Sequence, residues 1–271
     1  MSGAASINKI GKSTVPRTAI STSDEHSITI RGEDLCRDLI GQTSFTAYFS
    51  FLLTGRKPSR GDVMVLDATL VAIADHGMVP SVQASRMTYA AAPDALQGAV
   101  AAGILGCGSV ILGASETAGR LFAEVDELAG ASGIDLQEAA RRVVRQYREA
   151  GKPLPGYGHP LHKERDPRVD RLFQVAREAG TSLRFIEIAE AVETVIPAIV
   201  GKELKLNVSA AIPAVLLGTN FPLRALRGVP ILARTAGIIA HLAEEAVNPS
   251  GFALSYQATR ELVYEGPEAK K

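Results

Sequence analysis

Apolar residues along this chain recur almost everywhere at the three-and-four spacing of helices, and the polar positions between them supply the ends. Val169, Leu172, Phe173 and Ala176 share one helical face; Asp166 suits the N-cap before them, Pro167 the first helical position and Gly180 the stop. Asp135 followed by Glu138 has the form of a capping box, ahead of a helix expected to run to about Gly151. Leu183 to Val200 carries Phe185, Ile188, Val192, Val195 and Ile196 on a longer amphipathic segment, in which Pro197 predicts a kink. Only Ser27 to Ile30 reads as a strand, and no strand–helix–strand alternation accompanies it. The pattern predicts an all-α protein.

Two stretches depart from that pattern. The chain up to Ser23 is polar and has no apolar core of a targeting peptide, so an N-terminal arm over 1–25 is expected. Within it, Gly11-Lys12-Ser13 lacks the leading glycine of a phosphate loop, since Ser6 stands in its place. The uncharged run from Ala95 to Ser115 is long enough to span a bilayer, but Gly103, Gly106, Gly108 and Gly113 and the absence of an aromatic belt point to close helix packing in a core or subunit interface.

Composition narrows the function classes. With 29 Lys+Arg against 29 Asp+Glu over 271 residues, neither a nucleic-acid surface nor a membrane surface is the expected partner. Cys36 and Cys107 are too few for a disulfide framework or a cysteine zinc site, which favours a reducing, cytoplasmic compartment. His159 and His162 alone do not make a metal site, and none is expected.

The candidate chemistry lies in one loop, Gly156 to Arg168, which combines glycines, two histidines, a lysine and arginines. Arg168 falls in the first turn of the helix capped by Asp166, where free N–H groups and a guanidinium both favour a carboxylate or phosphate. A small anionic ligand is the expected guest.

The motif Gly156-Tyr157-Gly158-His159, with Lys163 four residues after the histidine and Asp166-Pro167-Arg168 beyond, resembles citrate synthase and its relatives. Asp75-His76-Gly77, with Ser81 and Arg86 following, is similar to the citryl-CoA lyase branch and to the lyase domain of ATP-citrate lyase; synthases usually carry glutamate where Gly77 stands. Ile30-Arg31-Gly32, Asn207-Val208 and Ala233-Arg234 with Gly237 and His241 extend the match from about Ile28 to Glu245. The resemblance implies a citrate-synthase-like helical fold whose small lobe, 115–212, closes over a large lobe built from 26–114 and 213–271, and a homodimer or higher homo-oligomer.

It also implies roles. His76 orients the oxo-acid or citryl portion, His159 exchanges a proton with the alcohol or polarises its carbonyl, and Arg168 and Arg234 bind carboxylates. Lys163 with the backbone of Gly156, Tyr157 and Gly158 belongs to a coenzyme A site, coenzyme A being part of the thioester substrate or product and a small oxo-, di- or tricarboxylic acid its companion. Arg86 is either a further cofactor contact or a bridge between local helices. Two positions depart from the family. Ser209 replaces the aspartate that moves the acetyl proton, and Ile111 stands where synthases carry a histidine. The implied function is cleavage of citryl-CoA or a related 3-hydroxyacyl-CoA to acetyl-CoA and an oxo acid; the alternatives are a different CoA thioester, or a noncatalytic CoA- and carboxylate-binding homologue.

Overall fold

A computed structural model describes residues 16–109, 111–158 and 165–267. The N-terminal end of the expected arm, the Gly11-Lys12-Ser13 motif, His159, His162 and Lys163 lie outside the described residues. The chain forms two compact units, Met1–Pro58 and Ser59–Lys271.

In the first unit, strands β1 (Ser21–Ser23), β2 (Ile28–Ile30) and β3 (Glu33–Asp34) form an antiparallel sheet in that order, with Thr22 opposite Thr29 and Thr29 opposite Asp34. The sequence led us to expect one strand and an arm reaching 25, yet Ser21–Ser23 is a paired strand: backbone pairing needs no apolar side chains, so hydropathy could not reveal it. Arg31 and Gly32 both take positive φ, 51° and 91°, as the two-residue turn between β2 and β3 requires. The Arg31 guanidinium donates to the Leu52 carbonyl at 2.6 and 3.0 Å, satisfying an orphan acceptor at the end of helix α1 (Phe45–Thr54). Ile30, Leu39 and Phe51 form the small core beneath.

The described residues of the second unit form the helices α2 (Arg60–Ile73), α3 (Pro80–Ala91), α4 (Leu96–Leu105), α5 (Gly113–Ser132), α6 (Leu136–Glu149), α7 (Pro167–Glu178), α8 (Arg184–Val200), α9 (Val208–Leu217), α10 (Gly228–Glu245) and α11 (Gly251–Glu261), with a 3-10 turn at Leu223–Ala225 and one isolated antiparallel bridge between Tyr157 and Leu206. One core lies among α5, α6, α8 and α9, where Leu121, Phe122, Val144, Ile188, Val192, Ile196 and Ala214 to Leu216 are buried. A second lies where α10 crosses α3 and α4, around Ala99, Ile238 and Leu242.

The helix starts follow their caps, with differences in detail. Ser59 and Asp62 close a full capping box on α2. Asp135 accepts from the Glu138 N–H at 2.8 Å, but the Glu138 carboxylate turns to Arg141 and Arg142, whose cations compete better for it than a backbone N–H does. Helix α8 runs through Pro197, which sits in its last turn. The Gly/Ala-rich run is broken between α4 and α5, and no described helix is long and apolar enough to cross a membrane. Gly103 is there for close packing: a Cβ would stand 2.7 Å from Ile238 Cδ1 and 3.1 Å from the Ser81 carbonyl oxygen.

Candidate functional site

The glycine loop is tied to the start of α9. Asn207 caps α9 by accepting from Ser209 N–H at 2.9 Å, and its side-chain amide donates to the Gly158 carbonyl at 2.8 Å. Asn207 N–H donates to the Gly156 carbonyl at 3.0 Å, and Gly158 N–H to the Lys205 carbonyl at 2.7 Å. Gly156 has φ +86°, and a Cβ there would stand 2.5 Å from the Ala210 methyl, so only glycine lets the loop lie on α9. Tyr157 points into the core, its ring edge-on to Phe122 and its hydroxyl donating to the Ala189 carbonyl at 2.8 Å; burial pushes that phenol well above its ordinary pKa. The loop read from sequence as a set of donors for coenzyme A therefore has its Gly158 N–H bonded to Lys205, and its tyrosine side chain is an anchor.

Asp166 and Arg168 form the next element. Asp166 is 2% exposed, caps α7 through Arg168 N–H at 3.0 Å, and takes Arg168 Nε and Nη2 at 3.0 and 2.8 Å. Burial alone would raise its pKa, but Arg168 and the N–H groups of Arg168 and Val208 outweigh it and the carboxyl stays below its ordinary value. The expected carboxylate-binding arginine thus already holds one carboxylate edge-on. Ser209 stands half-buried in the first turn of α9, and Ile111 is exposed on the turn before α5.

Arg234 is the most unusual group. It lies on α10, only 9% exposed, and its Nη1 has no hydrogen-bond partner among the described residues. Burial lowers its pKa; Cys107 and Asp75 oppose that shift and Arg168 adds to it. A buried guanidinium with an unmet donor and a second cation in electrostatic range is an arrangement that an incoming anion would relieve.

His76 is exposed on the turn between α2 and α3, directly after Asp75. The Asp75 carboxylate braces this turn by accepting from Gly77 N–H at 3.2 Å, and the Nε2 of His241 lies 2.8 Å from its Oδ1. Gly237 brings α10 onto the same turn, since a Cβ there would lie 2.0 Å from the Ala74 carbonyl oxygen. We expect Gly237→Ala to destabilise the protein by about 1–3 kcal/mol or more, read from urea unfolding, because backbone faces backbone and neither can yield; an unchanged midpoint would contradict this packing.

Arg86 resolves to the bridging alternative. It is 4% exposed, and its guanidinium reaches Glu245 at 3.0 Å, Ser250 Oγ at 3.3 Å, His241 Nδ1 at 2.8 Å, and Glu244. Those bonds tie α3 to α10 and to the start of α11. Sequence reading missed Glu244, Glu245 and the pairing of Asp75 with His241. A signal was present: two glutamates at the C-terminal end of a helix are unfavourable unless a cation lies among them.

Fold and site together describe a helical protein with a buried, incompletely bonded arginine and a histidine-bearing turn. Residues 15–251 match the family model for the citrate synthase C-terminal domain, and the chain belongs to the citrate synthase family. A citryl-CoA lyase from Hydrogenobacter thermophilus is 32% identical, superimposes with a TM-score of 0.83, and is matched over 95% of this chain and 97% of that one. A variant of the Methanosaeta concilii ATP citrate lyase, solved with (3S)-citryl-CoA, has the same fold at 23% identity and TM-score 0.76 over 96% of this chain and 43% of its own. The citrate/2-methylcitrate synthase of Bacillus subtilis is 29% identical over 215 residues, 76% of this chain and 53% of that protein. The chain spans about half the length of curated relatives it matches, 53% for that synthase and 51% for a citrate synthase of Haloferax volcanii.

Proposed function

We propose that this protein is a citryl-CoA lyase-like carbon–carbon lyase, cleaving citryl-CoA or a related 3-hydroxyacyl-CoA to acetyl-CoA and an oxo acid such as oxaloacetate. The observation that carries the reading is the buried Arg234 guanidinium, whose Nη1 has no partner among the described residues and which lies in electrostatic range of Arg168 and of Asp75, next in the chain to His76. Similarity to a citryl-CoA lyase over nearly the full length of both chains supports it. Arg234 and the outward edge of Arg168 receive the carboxylates of the oxo-acid half, and His76 orients it. His159 removes the proton of the tertiary alcohol; its oxygen becomes the ketone of the oxo acid as the carbon–carbon bond breaks, and the electron pair leaves on the acetyl-CoA enolate. A proton from water completes acetyl-CoA, because Ser209 is no carboxylic acid, and the hydroxide left takes the proton held on His159. The coenzyme A portion is assigned to Lys163 and the Gly156–Gly158 loop, with a small lobe of 115–212, a cytoplasmic setting and a homodimer or higher homo-oligomer as parts of the same proposal.

Ser209 favours a second reading, in which the chain acts on a different CoA thioester or binds coenzyme A and carboxylates without turnover, since a missing acid or base lowers rate by about a hundredfold to ten-thousandfold. The two separate on His159→Ala. Under the lyase reading, this variant retains measurable binding of coenzyme A and loses cleavage of citryl-CoA; turnover equal to wild type would remove His159 from the mechanism.

A further inference from the structure

We propose that His241, oriented by Arg86, holds the Asp75 carboxylate away from Arg234, so that the buried guanidinium stays open to a ligand carboxylate instead of closing on the protein's own. This rests on the reading of Arg234 as the receiver of the oxo-acid carboxylate. Both His241 and Arg86 are positioning residues here, acting through Asp75.

Arg234, Gly237 and His241 are spaced three and four residues apart and form one stripe along α10. The close approach of Gly237 to Ala74 presses that stripe against the turn carrying Asp75, with Arg234 one turn to one side and His241 one turn to the other. Asp75 is within electrostatic range of Arg234, yet Nη1 of Arg234 has no partner among the described residues. A carboxylate beside a desolvated guanidinium would ordinarily pair with it. Asp75 is instead held by His241 Nε2 at 2.8 Å and by the Gly77 N–H at 3.2 Å.

The direction of the His241 bond follows from Arg86. Arginine can only donate, so Nδ1 of His241, 2.8 Å from Arg86 Nη2, must be the acceptor. The ring proton then resides on Nε2 and points at Asp75. Arg86 is itself fixed by Glu244 and Glu245, and Glu245 accepts from Ser250 and Gly251 N–H at 2.7 and 2.6 Å at the start of α11. A fixed chain of donors and acceptors therefore runs from α11 to Asp75 and ends beside Arg234.

The test is calorimetric titration with oxaloacetate of the wild type, Arg234→Met, His241→Ala, His241→Gln, and His241→Ala combined with Asp75→Asn. His241→Ala frees Asp75 to pair with Arg234, and affinity is expected to fall on the order of tenfold. His241→Gln keeps an N–H donor near the Nε2 position and is expected to bind nearly as wild type. Asp75→Asn added to His241→Ala removes the competing charge and is expected to restore affinity, which a merely structural role for His241 would not produce. Nitrogen-15 spectra of histidine-labelled protein, assigned through His241→Gln, are expected to show the neutral ring protonated on Nε2. If oxaloacetate binds the wild type and not Arg234→Met, but the double variant is as weak as His241→Ala, the inference is overturned and the receiver role of Arg234 stands. No binding by the wild type would overturn both.

Discussion

Arg234→Met is expected to leave the protein at least as stable as the wild type while lowering its affinity for oxaloacetate or citrate about a hundredfold or more. The two halves of this result have one cause. A guanidinium that is 9% exposed and has a donor unmet among the described residues is desolvated without full compensation there, so an apolar side chain of similar length is better tolerated at that place. The same unmet donor is what a ligand carboxylate would complete, and truncating one partner of a buried charged pair lowers binding by about 2–5 kcal/mol. Urea unfolding and calorimetry on the same preparations decide the matter. A variant that is destabilised and still binds would mean that Arg234 is a structural bridge whose partner lies within the protein.

Glu245→Ala is expected to have the opposite profile, with a loss of about 3–5 kcal/mol in stability, because it strips the buried Arg86 of a carboxylate and leaves the start of α11 uncapped. Burial alone would push the Glu245 carboxyl up; Ser250, Gly251 and Arg86 together hold it below its ordinary 4.5. Between the folded and unfolded values the native state binds fewer protons, so this contribution is complete above about pH 4.5 and is lost as pH falls through the folded value. Glu245→Gln should accordingly flatten the acid limb of the stability profile. A loss under 1 kcal/mol for Glu245→Ala would show that water enters and solvates Arg86.

These contrasting arginines show what was legible in the sequence. Helices were readable because their signals are local: Asp166 and Pro167 mark the start of α7, and apolar spacing marks α8. The family resemblance brought Arg86, Arg168 and Arg234 forward together as candidate ligand contacts, but their environments depend on residues far away in the chain. Arg86 meets Glu244 and Glu245 at the other end of the unit, Arg168 meets Asp166 two residues away, and Arg234 has an Nη1 with no hydrogen-bond partner among the described residues. The burial of the Tyr157 side chain was not legible for a similar reason, since Phe122 and the Ala189 carbonyl that receive it lie far away in the chain. The β1 strand was invisible because Ser21, Thr22 and Ser23 have no apolar face.

The measurement that tests the proposed function most directly is incubation of the purified protein with citryl-CoA, following acetyl-CoA and oxaloacetate together by mass spectrometry beside a no-enzyme control and His159→Ala. The account predicts that both products form in equal amounts, faster than in the control and only when His159 is present. Citryl-CoA that is bound but remains intact would contradict the lyase assignment.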